Sequence, residues 1–209
     1  MKFLIRLCSL IFLLQINVVY AADIVELQSR WANANYNTTG DEQVLAFETL
    51  IKDADNTLLD NPGNADLLIW TAIIKSTYAG KASGFSALGL VKSARDSLEE
   101  ALEINPLALD GSAYTSLGAL YYQVPPWPIA FGSNKKARKL LKKALEINPD
   151  GIDANYFYGA FLAEEKEYEG ARAALQKAAR APLRPGRPVA DEGRRQEIKS
   201  LLSSIDGNA

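Results

Sequence analysis

The hexapeptide ALEINP occurs twice in this chain, at Ala101–Pro106 and again 43 residues later at Ala144–Pro149. An identical segment at a fixed offset points to a repeat architecture, in which each unit buries its apolar face against its neighbours. Both copies end a segment of helical spacing. In KKARKLLKKALEINP, Ala137, Leu141 and Ala144 fall at i, i+4 and i+7, with Lys and Arg on the other faces. Helical-hairpin units of this kind can be as short as 34 residues. Nine residues are therefore surplus, and where they lie bears directly on function.

The partner helix precedes this one. In DGSAYTSLGALYYQ, Tyr114, Leu117, Gly118 and Tyr121 fall at i, i+3, i+4 and i+7, one face of a helix. Gly118 costs about 1 kcal/mol against alanine in such a position, which makes sense where another helix approaches closely. Together, Tyr114, Leu117, Gly118, Tyr121, Ala137, Leu141, Ala144 and Pro149 resemble the tetratricopeptide repeat at all eight of its characteristic positions. In that repeat the tyrosine and the following alanine are nine residues apart. Here Tyr121 and Ala137 are 16 apart, so seven surplus residues lie between the helices. The other two precede the first helix.

The unit before it reads alike. Trp70, Ile73, Ile74 and Thr77 form the first face, Ala94, Leu98, Ala101 and Pro106 the second, with an insertion of eight residues between them. The unit after it is regular: Tyr158, Gly159, Leu162, Ala171, Leu175 and Ala178 match without insertion, although Asn155 stands where an aromatic is usual. Upstream, a short helix near Ile24–Ala34 and the segment DEQVLAFETLIKDADNTLLDNP read as a degenerate first unit. VADEGRRQEIKSLLSSI reads as the polar capping helix that such arrays need. All nine prolines fall between these helices. The expected fold is all-α, an antiparallel helical-hairpin, tetratricopeptide-like array of about nine helices with a C-terminal capping helix. Residues 23–63 would hold the N-terminal helices, 64–182 three units, and 183–209 a linker and the cap.

Lys2 and Arg6 precede an apolar run from Leu7 to Tyr20 that ends in small residues, the pattern of a cleaved secretory signal peptide over residues 1–22. The run is shorter than the ~20 residues of a spanning helix. The single cysteine, Cys8, lies inside it, and histidine is absent. The exported chain thus has no thiol and no imidazole, which excludes disulfides, thiolate metal sites and Ser/His/Asp catalysis. A net charge of −2, more negative once the leader is removed, gives no basis for nucleic-acid binding. A non-enzymatic protein is expected, without cofactor or metal and without a membrane span after cleavage. In a bacterium with two membranes, it is expected in the periplasm.

The surplus of the third unit is QVPPWPIAFGSN, a proline-stiffened aromatic loop. Trp127 and Phe131 either wall a pocket inside the array together with Tyr121, Tyr122 and Tyr156, or plug a gap between widened helices. A second feature recurs at the 43-residue offset, where GLVKSAR aligns with GSNKKAR and so pairs Lys92 with Lys135 and Arg95 with Arg138. Lys135 and Arg138 at a helix start either hold an anion such as a carboxylate or lie on a solvated face. RAPLRPGRPVADEGRR reads as a basic, proline-broken linker, or as a surface for an acidic partner.

From about Asn64 to Leu202 the order of elements resembles the T component of TRAP transporters, a periplasmic family built on modified tetratricopeptide repeats. VPPWPIAFGSNKKARKLLKKALEINPDG and YFYGAFLAEEKEYEGARAALQKA carry the resemblance. It implies an accessory of a periplasmic solute-uptake system that works with a solute-binding protein and holds a small apolar or carboxylated ligand in a pore through the array. Members are often lipid-anchored, and this chain lacks a usable lipid-attachment cysteine. The other reading is a periplasmic scaffold that takes a protein or peptide segment on its concave face in envelope assembly.

Overall fold

The computed structural model describes residues 23–82 and 85–207; the leader read in residues 1–22, with Cys8, lies outside them. Among the described residues nine helices follow one another: α1 (residues 23–36), α2 (Gly40–Asp60), α3 (Ala65–Ala79), α4 (Phe85–Ile104), α5 (Ala108–Gln123), α6 (Asn134–Ile147), α7 (Ile152–Glu164), α8 (Tyr168–Ala179) and α9 (Pro188–Asp206). There is no strand among the described residues, and none of these helices is long and apolar enough to cross a membrane.

The second helices bury the face that their spacing predicts. Ala94, Leu98 and Ala101 of α4, Ala137, Leu141 and Ala144 of α6, and Ala171, Leu175 and Ala178 of α8 are all fully excluded from solvent. Alanine on either side of a leucine lets two helices come close around one large side chain. The first helix answers with glycine. A Cβ on Gly118 would stand 2.7 Å from Leu141 Cγ, and one on Gly159 would stand 2.8 Å from Leu175 Cγ. α3 with α4, α5 with α6, and α7 with α8 thus form hairpins, while α3, α5, α7 and α9 lie side by side as the inner row. In the first unit, Leu27 and Trp31 of α1 share a cluster with Phe47, Leu50 and Ala54 of α2.

Polar side chains set the ends. The Asn64 side chain caps α3 by accepting from the backbone N–H groups of Asp66 and Leu67 at 3.0 and 3.1 Å, and the Ser133 hydroxyl accepts from Lys136 N–H at the start of α6. Eight prolines lie between helices, and Pro188 opens α9, where no intrahelical donor is lost. Asn155, in the place of an aromatic, is buried and donates to the carbonyls of Pro149 and Gly151 at 2.8 and 2.9 Å, tying down the turn into α7.

The two surplus residues before α5 take the form of a left-handed stretch. Leu109, Asp110 and Gly111 have φ of 48°, 55° and 74°, so the right-handed part of α5 begins only at Ser112. Glycine takes this conformation freely, whereas Leu109 and Asp110 adopt it at a cost of order 1–2 kcal/mol each. Gly111 also sits against Ile147, whose side chain would lie 3.0 Å from an added Cβ. The seven surplus residues between α5 and α6 form the loop described below.

Candidate functional site

The last helix does more than cap. α9 packs on α7 and α8 and also reaches α1: Ala190 is buried in the same cluster as Ile24, Leu27 and Trp31, and Val189 packs against it. Gly193 lies so close to Tyr36 that a Cβ there would be 2.4 Å from the ring. The first and last of these helices therefore meet, and the inner row becomes the wall of two half-open cavities.

Two chambers lie inside, of about 320 and 340 Å³. The first is walled by Ile73 and Thr77 of α3, Ser116 and Leu120 of α5, Phe157 of α7 and Arg194 of α9. The second lies toward the starts of α5 and α7, against Asp110, Asn148 and Pro182. Trp70, Ser112, Thr115, Asp153 and Arg187 belong to both. Trp31 supports this wall: its ring packs edge-on to Trp70 at 5.8 Å, and its indole N–H donates to the Thr77 hydroxyl at 3.0 Å.

A charge network fastens the closure. Arg184 donates through Nη1 to Asp153 at 2.5 Å and through Nε to Asp191 at 2.6 Å; Asp191 also accepts from the Arg184 backbone N–H. Arg194 donates through Nε to the other oxygen of Asp153 at 2.8 Å and through Nη1 to Glu197. Its guanidinium lies over Tyr156 and Phe157, 4.3 and 4.8 Å from the ring centroids. One carboxylate of α7 is thus shared by two arginines, one from the α8–α9 connection and one from α9.

Burial alone would raise the Asp153 pKa, but Arg194, Arg184 and Arg187 outweigh it and hold the group below the usual carboxylate range. Its folded-state pKa lies below its unfolded value, so its contribution to stability is complete above about pH 4 and is lost as pH falls through the folded value. Thermal unfolding followed from about pH 6 down to about pH 2 should show the melting temperature of the wild type dropping more steeply below about pH 4 than that of Asp153→Asn. Parallel curves would mean that Asp153 is not the group responsible.

The residues singled out in the sequence are divided. Tyr156 lines the first chamber. Tyr121 and Tyr122 are buried in the hairpin, Tyr121 beneath Lys136 and within 3.3 Å of Glu99, Tyr122 packed on Phe161. Lys135 is exposed. Arg138 forms ion pairs with Glu165 and Glu167 and lies 4.8 Å from the Phe161 ring, so it joins its unit to the next. Its counterpart Arg95 keeps its ion pairs, with Asp96 and Glu99, within α4 and reaches the next unit only through the Phe131 ring, 4.7 Å away.

The aromatic loop turns outward. Phe131 is half-buried, edge-on to Tyr121 at 5.5 Å, whereas Trp127 is 84% exposed and Ile129 63%. Gly132 decides this course. Its N–H donates to the Pro125 carbonyl at 3.0 Å, and a Cβ there would lie 2.0 Å from the Val124 carbonyl oxygen. Phe131 packs, and Trp127 neither fills a gap nor enters a chamber. Asp153, Arg184, Arg187 and Arg194 line the cavities and were not singled out in the sequence, and Trp70 was read only as part of a repeat face. The three arginines lie in RAPLRPGRPVADEGRR, read there as a basic linker or a surface for an acidic partner.

Residues 129–182 match the tetratricopeptide repeat family. No curated protein sequence matches the chain. Among solved structures it is similar to TTC0263, a thermophilic TPR protein of Thermus thermophilus, at a TM-score of 0.59 and 16% identity over 77% of this chain and 75% of that one. Crystal structures of MamA align at TM-scores of 0.46 and 0.45, with 21% and 19% identity, over 78% and 86% of this chain and 89% and 90% of theirs. The fold is thus an all-α tetratricopeptide-type array, and such a fold suggests a protein–protein interaction role.

Proposed function

We propose that this is an exported, non-enzymatic binding protein that acts in the periplasm as an accessory of a TRAP-type solute-uptake system, holding a small ligand inside the ring of inner helices and a protein partner outside it. The meeting of α1 and α9 carries the reading. An open array offers its concave face to a peptide along its length, whereas here the face is narrowed to two half-open cavities of about 320 and 340 Å³, a size that suits a compact ligand. The partner would be a solute-binding protein.

The outward loop supports the partner. Residues 125–129, Pro-Pro-Trp-Pro-Ile, are all exposed, and a stiff segment that presents tryptophan loses little freedom on docking. Trp127→Ala should change the unfolding free energy by less than about 0.5 kcal/mol, because an exposed side chain contributes little to the core. The same variant should fail to retain a solute-binding protein that wild type retains from the periplasmic fraction of its source cell. Equal retention by both proteins would remove the loop from the partner surface, and retention of no solute-binding protein by wild type would overturn the transport role.

A further inference from the structure

We infer that the protein pairs with a second copy of itself through its outer helices, the acidic face of α4 in each copy lying on the basic face of α6 in the other. This concerns the outside of the array and stands apart from the cavities and their ligand.

α4 and α6 are repeats of one another, which makes their difference informative. At the 43-residue offset Ala94 matches Ala137, Arg95 matches Arg138, Leu98 matches Leu141, and both helices run into ALEINP, so the buried face is the same in each. On the exposed face the charge is inverted: Asp96, Glu99 and Glu100 stand where α6 has Lys139, Lys142 and Lys143. Both helices hold the same place in their hairpins, and packing therefore accounts for neither sign.

Each face carries charge that its own fold leaves unanswered. α6 has six basic residues and one acidic. Lys135 and Lys136 lie in its first turn, against the helix dipole, and Lys139 is four residues from both Lys135 and Lys143, a spacing at which like charges repel. Lys143 reaches Glu146 of its own helix, and among the described residues Lys135, Lys139 and Lys142 have no ion pair. α4 has four acidic residues and two basic. Arg95 answers Asp96 and Glu99, while among the described residues Glu100 and Glu103 have no ion pair.

The whole outer row follows this order. α2, α4, α6 and α8 stand outside the inner row, each packed on first helices. α2 has six acidic residues and one lysine, and α8 two basic residues and one acidic. The outer surface is thus acidic over its first half and basic over its second. A twofold axis along the middle of the row, between α4 and α6, lays each of these two helices on the other in the second copy and α2 opposite α8, so every attraction is made twice and the contact closes at two copies. An anionic polymer or lipid surface would meet the acidic half of the row together with the basic half, whereas a second copy matches both.

The test is sedimentation velocity of the mature protein at ionic strengths of about 0.01 M and about 1 M, across which the screening length falls from ~30 Å to ~3 Å. Wild type should sediment as a dimer at low salt, with a dissociation constant roughly tenfold or more weaker at high salt. One triple variant combines Asp96→Lys, Glu99→Lys and Glu100→Lys, and a second combines Lys139→Asp, Lys142→Glu and Lys143→Glu. Each introduces at exposed positions only the residues that the sister helix carries there. Either variant alone should stay monomeric at low salt, and an equimolar mixture of the two should form a dimer, because every contact then joins opposite charges. A wild type that is monomeric at low salt, a dimer indifferent to salt, a variant that still pairs with itself, or a mixture that stays monomeric would each overturn the pairing. Should a variant fail to fold, the salt dependence of wild type decides alone.

Discussion

Replacing Arg194 by methionine is expected to destabilise the protein by about 2 to 3 kcal/mol, the cost of losing charge-assisted hydrogen bonds in a partly buried network whose carboxylates stay about a third exposed. The side chain is only 9% exposed and holds Asp153 and Glu197 while covering Tyr156 and Phe157. Methionine replaces part of the cover and none of the charge. Asp153 would keep Arg184, but Glu197 would be left beside the partly buried Tyr36 ring, where α9 meets α1. Urea unfolding measures the loss. A midpoint unchanged from wild type would show that the closure does not depend on this arginine.

Gly118→Leu and Gly159→Leu are each expected to cost about 3 kcal/mol, at the upper end for overpacking. The obstacle is the root of the opposite leucine together with backbone: Leu141 N lies 3.3 Å from a Cβ on Gly118, and the Ala171 carbonyl 3.2 Å from one on Gly159. Neither can turn aside as the tip of a long side chain does, so the hairpin must widen. Because neither glycine lines a chamber, ligand affinity of whatever fraction remains folded should not change. Unaltered unfolding midpoints in both variants would mean that these helix pairs do not touch at their glycines.

These two contacts differ in how openly the sequence displays them. The Gly118–Leu141 contact was legible because it recurs: a glycine on a first helix, then Ala, Leu, Ala on a second, at spacings that only one face of a helix satisfies. The Arg194–Asp153 contact was not. The two residues are 41 apart and Arg184 and Asp153 are 31 apart; the arginines lie in segments whose polar pattern is that of a linker or a solvated helix, and Asp153 stands at the start of an apolar helix, where an acidic residue is ordinary. Nothing in composition distinguishes an arginine that faces water from one that faces a carboxylate across a fold. The loop shows a third case. Its stiffness was readable from three prolines, but its direction was set by the fit of Gly132 against the Val124 carbonyl, a clash between backbone atoms that residue types do not reveal. Arg138 was read at a helix start and found there, yet it turned toward the next unit because Glu165 and Glu167 stand in its reach.

The seating of α9 on α1 also bears on how such a protein can change over time. Open arrays lengthen by duplicating a unit, and each added copy simply extends the stack. Here the ends touch, at Gly193 against Tyr36 and at Ala190 among the residues of α1. One more hairpin would part them, and one fewer would leave no room for the chambers between them. The contact of α9 with α1 therefore limits the number of hairpins, and extra length is accommodated between or before helices, where the nine surplus residues lie.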